Sequence, residues 1–168
     1  MFFNKRYAQA SIAFQRAKRY REAKICDAYL MREKARIIST TASAARTQAF
    51  IDTAGAFISC ALDSPSKQVD ERIAYYGAAG ECYSEARDLK NAGDSYLKAK
   101  KYTAAARNYR EGGYFDEMVK VINRHGKTIE SGLRERLKMA AQMHYFKVSF
   151  KYSNGWLVSN ISNLRFSV

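Results

Sequence analysis

Proline is nearly missing, with Pro65 the single example in 168 residues. A chain with so few ring constraints, and so much Ala, Lys, Arg and Glu, favours helices. Cysteine is scarce too: Cys26, Cys60 and Cys82 are odd in number and far apart. They form no Cys-x-x-Cys pair, which removes the commonest zinc signatures. They suit buried thiols in a reducing intracellular compartment, cytoplasmic or nuclear, better than a disulfide frame. Histidine is limited to His125 and His144, and neither has a second ligand at metal spacing. No apolar run approaches the roughly 20 residues a membrane span needs, and the mean hydropathy is negative. Met1-Phe2-Phe3 is apolar, but Asn4-Lys5-Arg6 stops the run at once, so the start does not read as a secretory signal. No Gly-x-x-x-x-Gly-Lys-Ser/Thr phosphate loop appears, and no Gly-x-Gly-x-x-Gly follows a strand. From these gaps we expect no cofactor, no metal, no membrane, no small-molecule substrate and no catalytic residue.

What is present is charge, aromatics and a period. The net charge is +13, from 29 basic and 16 acidic residues. That admits nucleic acid as a partner, although Lys and Arg also coat the solvent faces of ordinary helices. Twelve Tyr and nine Phe sit in a chain that is 47% hydrophobic, enough for a core.

The phrase Lys5-Arg6-Tyr7 leading to Ala10 returns as Lys18-Arg19-Tyr20 leading to Ala23, and as Lys100-Lys101-Tyr102 leading to Ala105. From residue 76 the step is regular at thirteen residues. It gives Tyr76, Leu89, Tyr102 and Phe115, then Ala79, Ala92, Ala105 and Met118. A third series is Tyr83, Tyr96, Tyr109 and Ile122, and a fourth is Ala86, Ala99, Gly112 and His125. Offsets of 0, 3, 7 and 10 share one helical face. Tyr7, Ala10, Phe14 and Ala17 obey the same rule. Tyr20, Ala23 and Leu30 fit, but Asp27 fills the third slot and shifts the expected core to Cys26, Tyr29 and Leu30. Thirteen residues make one short helix and a tight turn, and such a helix stays ordered only by burying its stripe on neighbours. The pattern therefore predicts an all-α, right-handed solenoid of stacked antiparallel helices over 1–147. The basic pair marks each helix boundary, and small residues alternate with aromatics so that backbones approach and rings fill the adjacent gap.

Between the regular parts, Met31 to Ile38 extends the second helix, and Ser39-Thr40-Thr41 offers an N-cap. A third helix over about 42–62 turns Ala49, Phe50, Thr53, Ala54, Phe57 and Ala61 inward. Asp63-Ser64-Pro65-Ser66 is a loop with polar residues placed to cap a helix over about 67–87. Gly112-Gly113 and Gly126 read as C-terminal caps needing positive φ. Gly80 and Gly93 lie inside helices and read as close crossings. Leu133, Leu137, Ala140, Ala141 and His144 define a last helix ending near Phe146.

From Val148 the composition changes: no Ala, Asp or Glu follows, and Trp156 is the lone Trp. We expect 148–168 to be a non-helical or disordered tail, β-prone in composition. Asn154-Gly155 would suit a hairpin turn. The preferred reading is translated intron, because Val148-Ser149 is what a splice donor encodes when read through.

Candidate functional residues are few. Lys98, Lys100, Lys101, Arg107 and Arg110 form the densest basic run that could meet phosphates. Tyr83, Tyr96 and Tyr109 could stack on bases, but their spacing is that of a core stripe. His125 occupies a small-residue slot near a helix end, which favours packing or capping over catalysis. Asp70-Glu71 and Asp116-Glu117 sit where carboxylates complement helix starts.

The stretch "AGECYSEARDLKNAGDSYLKAKKYTAAARNYREGGYFDEMVKVI" (79–122) resembles tetratricopeptide-like repeats. Ala79-Gly80 and Tyr83 match the first repeat helix; Ala92, Tyr96 and Ala99 match the second. Two units span twenty-six residues, against about 34 in the standard repeat. The run from "NKRYAQASIAFQRAKRYREA" onward looks like the helical-repeat region of large fungal UvrD-like superfamily I helicase proteins, over roughly 2–147. Such proteins are related to the tetratricopeptide and ankyrin repeat-containing protein. The resemblance implies an ATP-dependent helicase elsewhere in a parent protein. None of its catalytic motifs stands in this chain, which would be a fragment. Two functions follow: a scaffold for a protein partner or neighbouring domain, or a basic module that grips nucleic acid for that helicase.

Overall fold

The computed structural model describes residues 2–151, with side chains described from residue 6 to residue 150. Eight α-helices follow one another, with no strand among the described residues. They are α1 (Phe2–Arg16), α2 (Tyr20–Ile37), α3 (Ser43–Leu62), α4 (Val69–Glu85), α5 (Leu89–Lys98), α6 (Tyr102–Glu111), α7 (Phe115–His125) and α8 (Ser131–Lys151). A single 3₁₀ turn, Gly126–Thr128, precedes α8. Each helix packs on the next in the chain, and α6 also touches α8.

The boundaries are made by one recurring turn. Lys18, Arg87, Lys100 and Gly113 each adopt a left-handed backbone, with φ of 56°, 61°, 56° and 79°. The last three are thirteen residues apart. At each, two backbone bonds close the preceding helix. Lys100 donates its N–H to the Leu97 carbonyl (3.0 Å), and Lys101 donates to Tyr96 (2.9 Å). Arg87 to Ser84 and Asp88 to Tyr83 repeat the pair, as do Gly113 to Arg110 and Tyr114 to Tyr109, and Lys18 to Gln15 and Arg19 to Phe14. This is the Schellman arrangement, which satisfies the last carbonyls of a helix. The next helix begins two residues after the left-handed one. A ten-residue helix plus a three-residue reversal is the thirteen-residue step. Lys-Lys and Lys-Arg therefore occupy the left-handed position and the following N-cap. Asp88 alone of the four N-caps uses its side chain, accepting the Asn91 N–H at 3.3 Å.

Two buried clusters result. One gathers Ala28, Phe50, Phe57, Cys60, Tyr75 and Ala79 from α2, α3 and α4. The other gathers Tyr96, Ala105, Tyr109, Met118, Ile122 and Leu137 from α5 to α8. Half-buried Tyr83 packs against both. Consecutive helices approach closely where glycine meets a ring. A Cβ on Gly80 would lie 2.8 Å from the Tyr96 ring, and one on Gly93 would overlap the Tyr109 ring still more deeply. Thirteen residues on, the equivalent positions hold Ala106 and Ile122, both buried in one cluster.

Several expectations are corrected. Tyr20 is 67% exposed rather than the opening of a buried stripe. The buried line of α2 runs instead through Ala23, Ala28 and Ala35, with Cys26, Tyr29 and Leu30 half-buried. Gly126 has φ −59° and enters the 3₁₀ turn, so it is no left-handed cap. The N-cap positions of α3 and α4 are Ala42 and Gln68, and neither makes a side-chain cap. Ser39 Oγ bonds Thr41 within its own loop, and Ser64 Oγ donates back to the Cys60 carbonyl at 2.9 Å. Finally, α8 continues through Val148 to Lys151, so the change of composition does not coincide with a helix end. The rest of the expected tail, 152–168, with the Asn154-Gly155 turn, lies outside the described residues.

Candidate functional site

The five basic residues of the candidate phosphate run straddle the joint between α5 and α6, and the structure divides them. Lys98 points its ammonium over the Tyr76 ring of α4, 5.2 Å from the centroid. Lys101 places Nζ 3.3 Å from Glu81 Oε1, also on α4, and 5.9 Å above the Tyr96 ring. These two cations are engaged with their own fold.

Lys100, Arg107 and Arg110 are exposed and make no ion pair among the described residues. Lys100 and Arg107 line a recess of about 580 Å³ with Tyr102, Thr103 and Thr128. Arg107 and Arg110 line a neighbouring recess of about 450 Å³ with Glu111 and Leu133. Arg107 therefore joins the two. The left-handed turn at Lys100 throws that side chain out beside the first turn of α6, and Arg107 lies one and a half turns further along that helix.

Two of the three aromatic candidates, Tyr96 and Tyr109, are buried away from bases, and Tyr83 is half-buried between the two clusters. Tyr96 is 8% and Tyr109 1% exposed. Tyr109 donates its hydroxyl to Asp94 Oδ1 at 2.6 Å, across from α6 to α5. Burial first, and then that bond, push its phenol above the ordinary range, so the proton stays on. Tyr145 of α8 similarly donates to Asp116 of α7, and burial leads the same upward shift.

The histidines are held by rings. His125 stacks on Tyr102 with centroids 3.8 Å apart and planes within 6°. His144 stacks on Phe115 at 4.1 Å. Both rings serve the α6–α7–α8 packing. A further recess of about 410 Å³ beside His125 carries mixed charge, Asp94 and Glu117 against Lys120 and Arg124. Cys60 and Cys82 are buried and Cys26 is half-buried. Burial pushes the Cys82 thiol up to about 11, which keeps it protonated and unreactive at neutral pH. Glu71, at the start of α4, pairs with Arg21 of α2. No group of three or more His, Cys, Asp or Glu that could hold a metal occurs among the described residues. No helix among them is long and apolar enough to cross a membrane.

Sequence reasoning missed Arg32. Its guanidinium lies 4.9 Å over the Tyr29 ring and 5.7 Å from the Phe57 centroid, with Glu81 at 3.9 Å. The Tyr29–Arg32 spacing of three residues was a readable hint; the approach of Phe57 and Glu81 was not.

No family model, curated protein or solved structure matches the chain.

Proposed function

We propose that the chain is a non-catalytic helical-repeat scaffold, a right-handed solenoid of short tetratricopeptide-like units. In this reading it mediates contacts with a protein partner or a neighbouring domain, as a piece of a larger fungal helicase-type protein. The supporting observation is the recurrence of one Schellman turn at Arg87, Lys100 and Gly113. Each is followed by a short helix whose fourth residue, Ala92, Ala105 or Met118, is fully buried. A unit that repeats its turn and its buried stripe repeats its neighbour contacts, and such arrays present extended surfaces to partners. The residues capable of chemistry are spent on packing, with His125 on Tyr102 and Tyr109 on Asp94.

The competing reading is a basic accessory module for nucleic acid. It draws on Lys100, Arg107 and Arg110, which make no ion pair among the described residues and line two adjoining recesses, one of which also holds Glu111. Titration of the full chain against a labelled random-sequence duplex separates the two. The scaffold reading expects no binding at low salt. Binding that collapses between low and moderate salt, and is weakened by Arg107→Glu with Arg110→Glu, overturns it in favour of phosphate recognition.

A further inference from the structure

Around the α5–α6 joint the carboxylates are already taken. Glu81 is held by Lys101, Asp94 by Lys90 and the Tyr109 hydroxyl, and Glu111 by Arg87. Lys100, Arg107 and Arg110 are left exposed, with no ion pair among the described residues. Arg107 and Arg110 lie three residues apart, and Thr103 lies four before Arg107, so the three share one face of α6. Lys100 stands just ahead of them in its left-handed turn. The result is a row of cations that the fold itself does not neutralise.

The surface along that row is hollow. The first recess, between Lys100 and Arg107, is lined by hydroxyl and amide groups from Thr103, Asn108 and Thr128, and by no carboxylate. The second sets Leu133 and Glu111 beside Arg107 and Arg110. An acidic ligand therefore meets cations at both ends of the row and an uncharged patch near one of them. A phosphate backbone carries a charge at every link, so it would press one of them on Leu133 and on the edge of Glu111. A peptide can place a neutral side chain there. Ten helical residues rise about 15 Å, a length that four or five residues of extended chain cover. Side chains at alternate positions of such a segment point to one side, and acidic ones would reach the successive cations.

We propose that the Lys100–Arg107–Arg110 face of α6 docks an extended acidic peptide segment of a protein partner, with Arg107 shared between the two recesses. The proposal rests on the scaffold reading and gives its partner a chemistry.

Fluorescence anisotropy of the full chain with a labelled peptide of alternating Glu and Ala tests this. A Gln–Ala peptide of the same length and a labelled random-sequence duplex are run beside it. At low salt the Glu peptide should bind, and the other two should not. Arg107→Glu with Arg110→Glu should weaken the Glu peptide by about tenfold or more. Lys34→Glu with Lys67→Glu makes the same change in net charge at exposed positions on α2 and before α4, which make no ion pair among the described residues. That variant should stay within about twofold of the parent. Far-UV circular dichroism checks that both variants keep their helices. Equal binding of the Glu and Gln peptides overturns the proposal, as does an equal loss in the two double variants, which would make net charge the whole cause. No binding of either peptide or of the duplex overturns it too, and leaves the scaffold reading standing. Duplex binding that Arg107→Glu with Arg110→Glu weakens overturns both.

Discussion

Gly93→Ala is the sharpest test of how the helices meet. In an exposed helix this change gains about 1 kcal/mol from propensity alone. Here the new methyl would lie within 2.8 Å of Tyr109 Cζ and nearer still to two other ring atoms. Carbon atoms pack at about 3.5–4.0 Å, so the ring would have to retreat by roughly an ångström. It has little room, because Tyr109 is 1% exposed and its hydroxyl is held by Asp94. Overpacking of this kind costs about 1–3 kcal/mol, and losing the phenol bond adds about 1 kcal/mol. Set against the propensity gain, the net loss is about 2 kcal/mol, or roughly 4–8 °C in melting temperature for a chain of this size. Gly55 is the internal control: it lies in α3, and a Cβ there meets nothing within 4 Å. Gly55→Ala should therefore stabilise by about 1 kcal/mol. Tyr109→Ile should relieve part of the Gly93→Ala defect, because a smaller side chain leaves room for the methyl; the next step carries Ala106 and Ile122 at the equivalent positions, both buried in one cluster. Urea unfolding of the two singles and the double reads this as a coupling energy. The reasoning fails if Gly93→Ala is as stable as the parent, or if the two changes are simply additive.

The turns make a second prediction. Lys100 holds φ 56° with a side chain, a conformation that costs a non-glycine residue about 1 kcal/mol. Lys100→Gly should raise the stability read from urea unfolding by about that amount, and Gly113→Ala, at φ 79°, should lower it by a similar one. Phe57→Ala should cost about 3–5 kcal/mol, because Phe57 is fully buried and meets Tyr29 edge to face at 5.1 Å; a loss in unfolding free energy under a third of that would show that the site collapses around the gap. Alkali should destabilise the fold. Burial raises the Cys82 thiol from 9.0 to about 11 and moves the Tyr109 and Tyr145 phenols upward from 10.0. Groups raised on folding contribute fully below their unfolded values and lose that contribution as pH climbs through the folded ones. The urea midpoint should thus hold steady below pH 9 and fall from pH 9 to 11, with Cys82→Ala flattening the first part of the decline.

Much of the candidate site was hidden for a physical reason. Lys98, Lys100, Lys101, Arg107 and Arg110 look alike along the chain, yet two of them turn to Tyr76 and Glu81, some twenty residues upstream. A cation's partner across a helix pair depends on rotation and crossing, which no local pattern encodes. The same holds for Tyr20, whose slot in the pattern is apolar but whose helix turns it to solvent.

Local chemistry carried the rest. The left-handed residue and its two backbone bonds span no more than five positions, so the thirteen-residue step and the all-helical class were written in neighbouring residues. Tertiary structure decided which glycine meets which ring, which cations stay unpaired among the described residues, and which face of α8 packs on α6 and α7. Those outcomes are set by side chains distant in sequence competing for the same space, and space is assigned only when the helices come together.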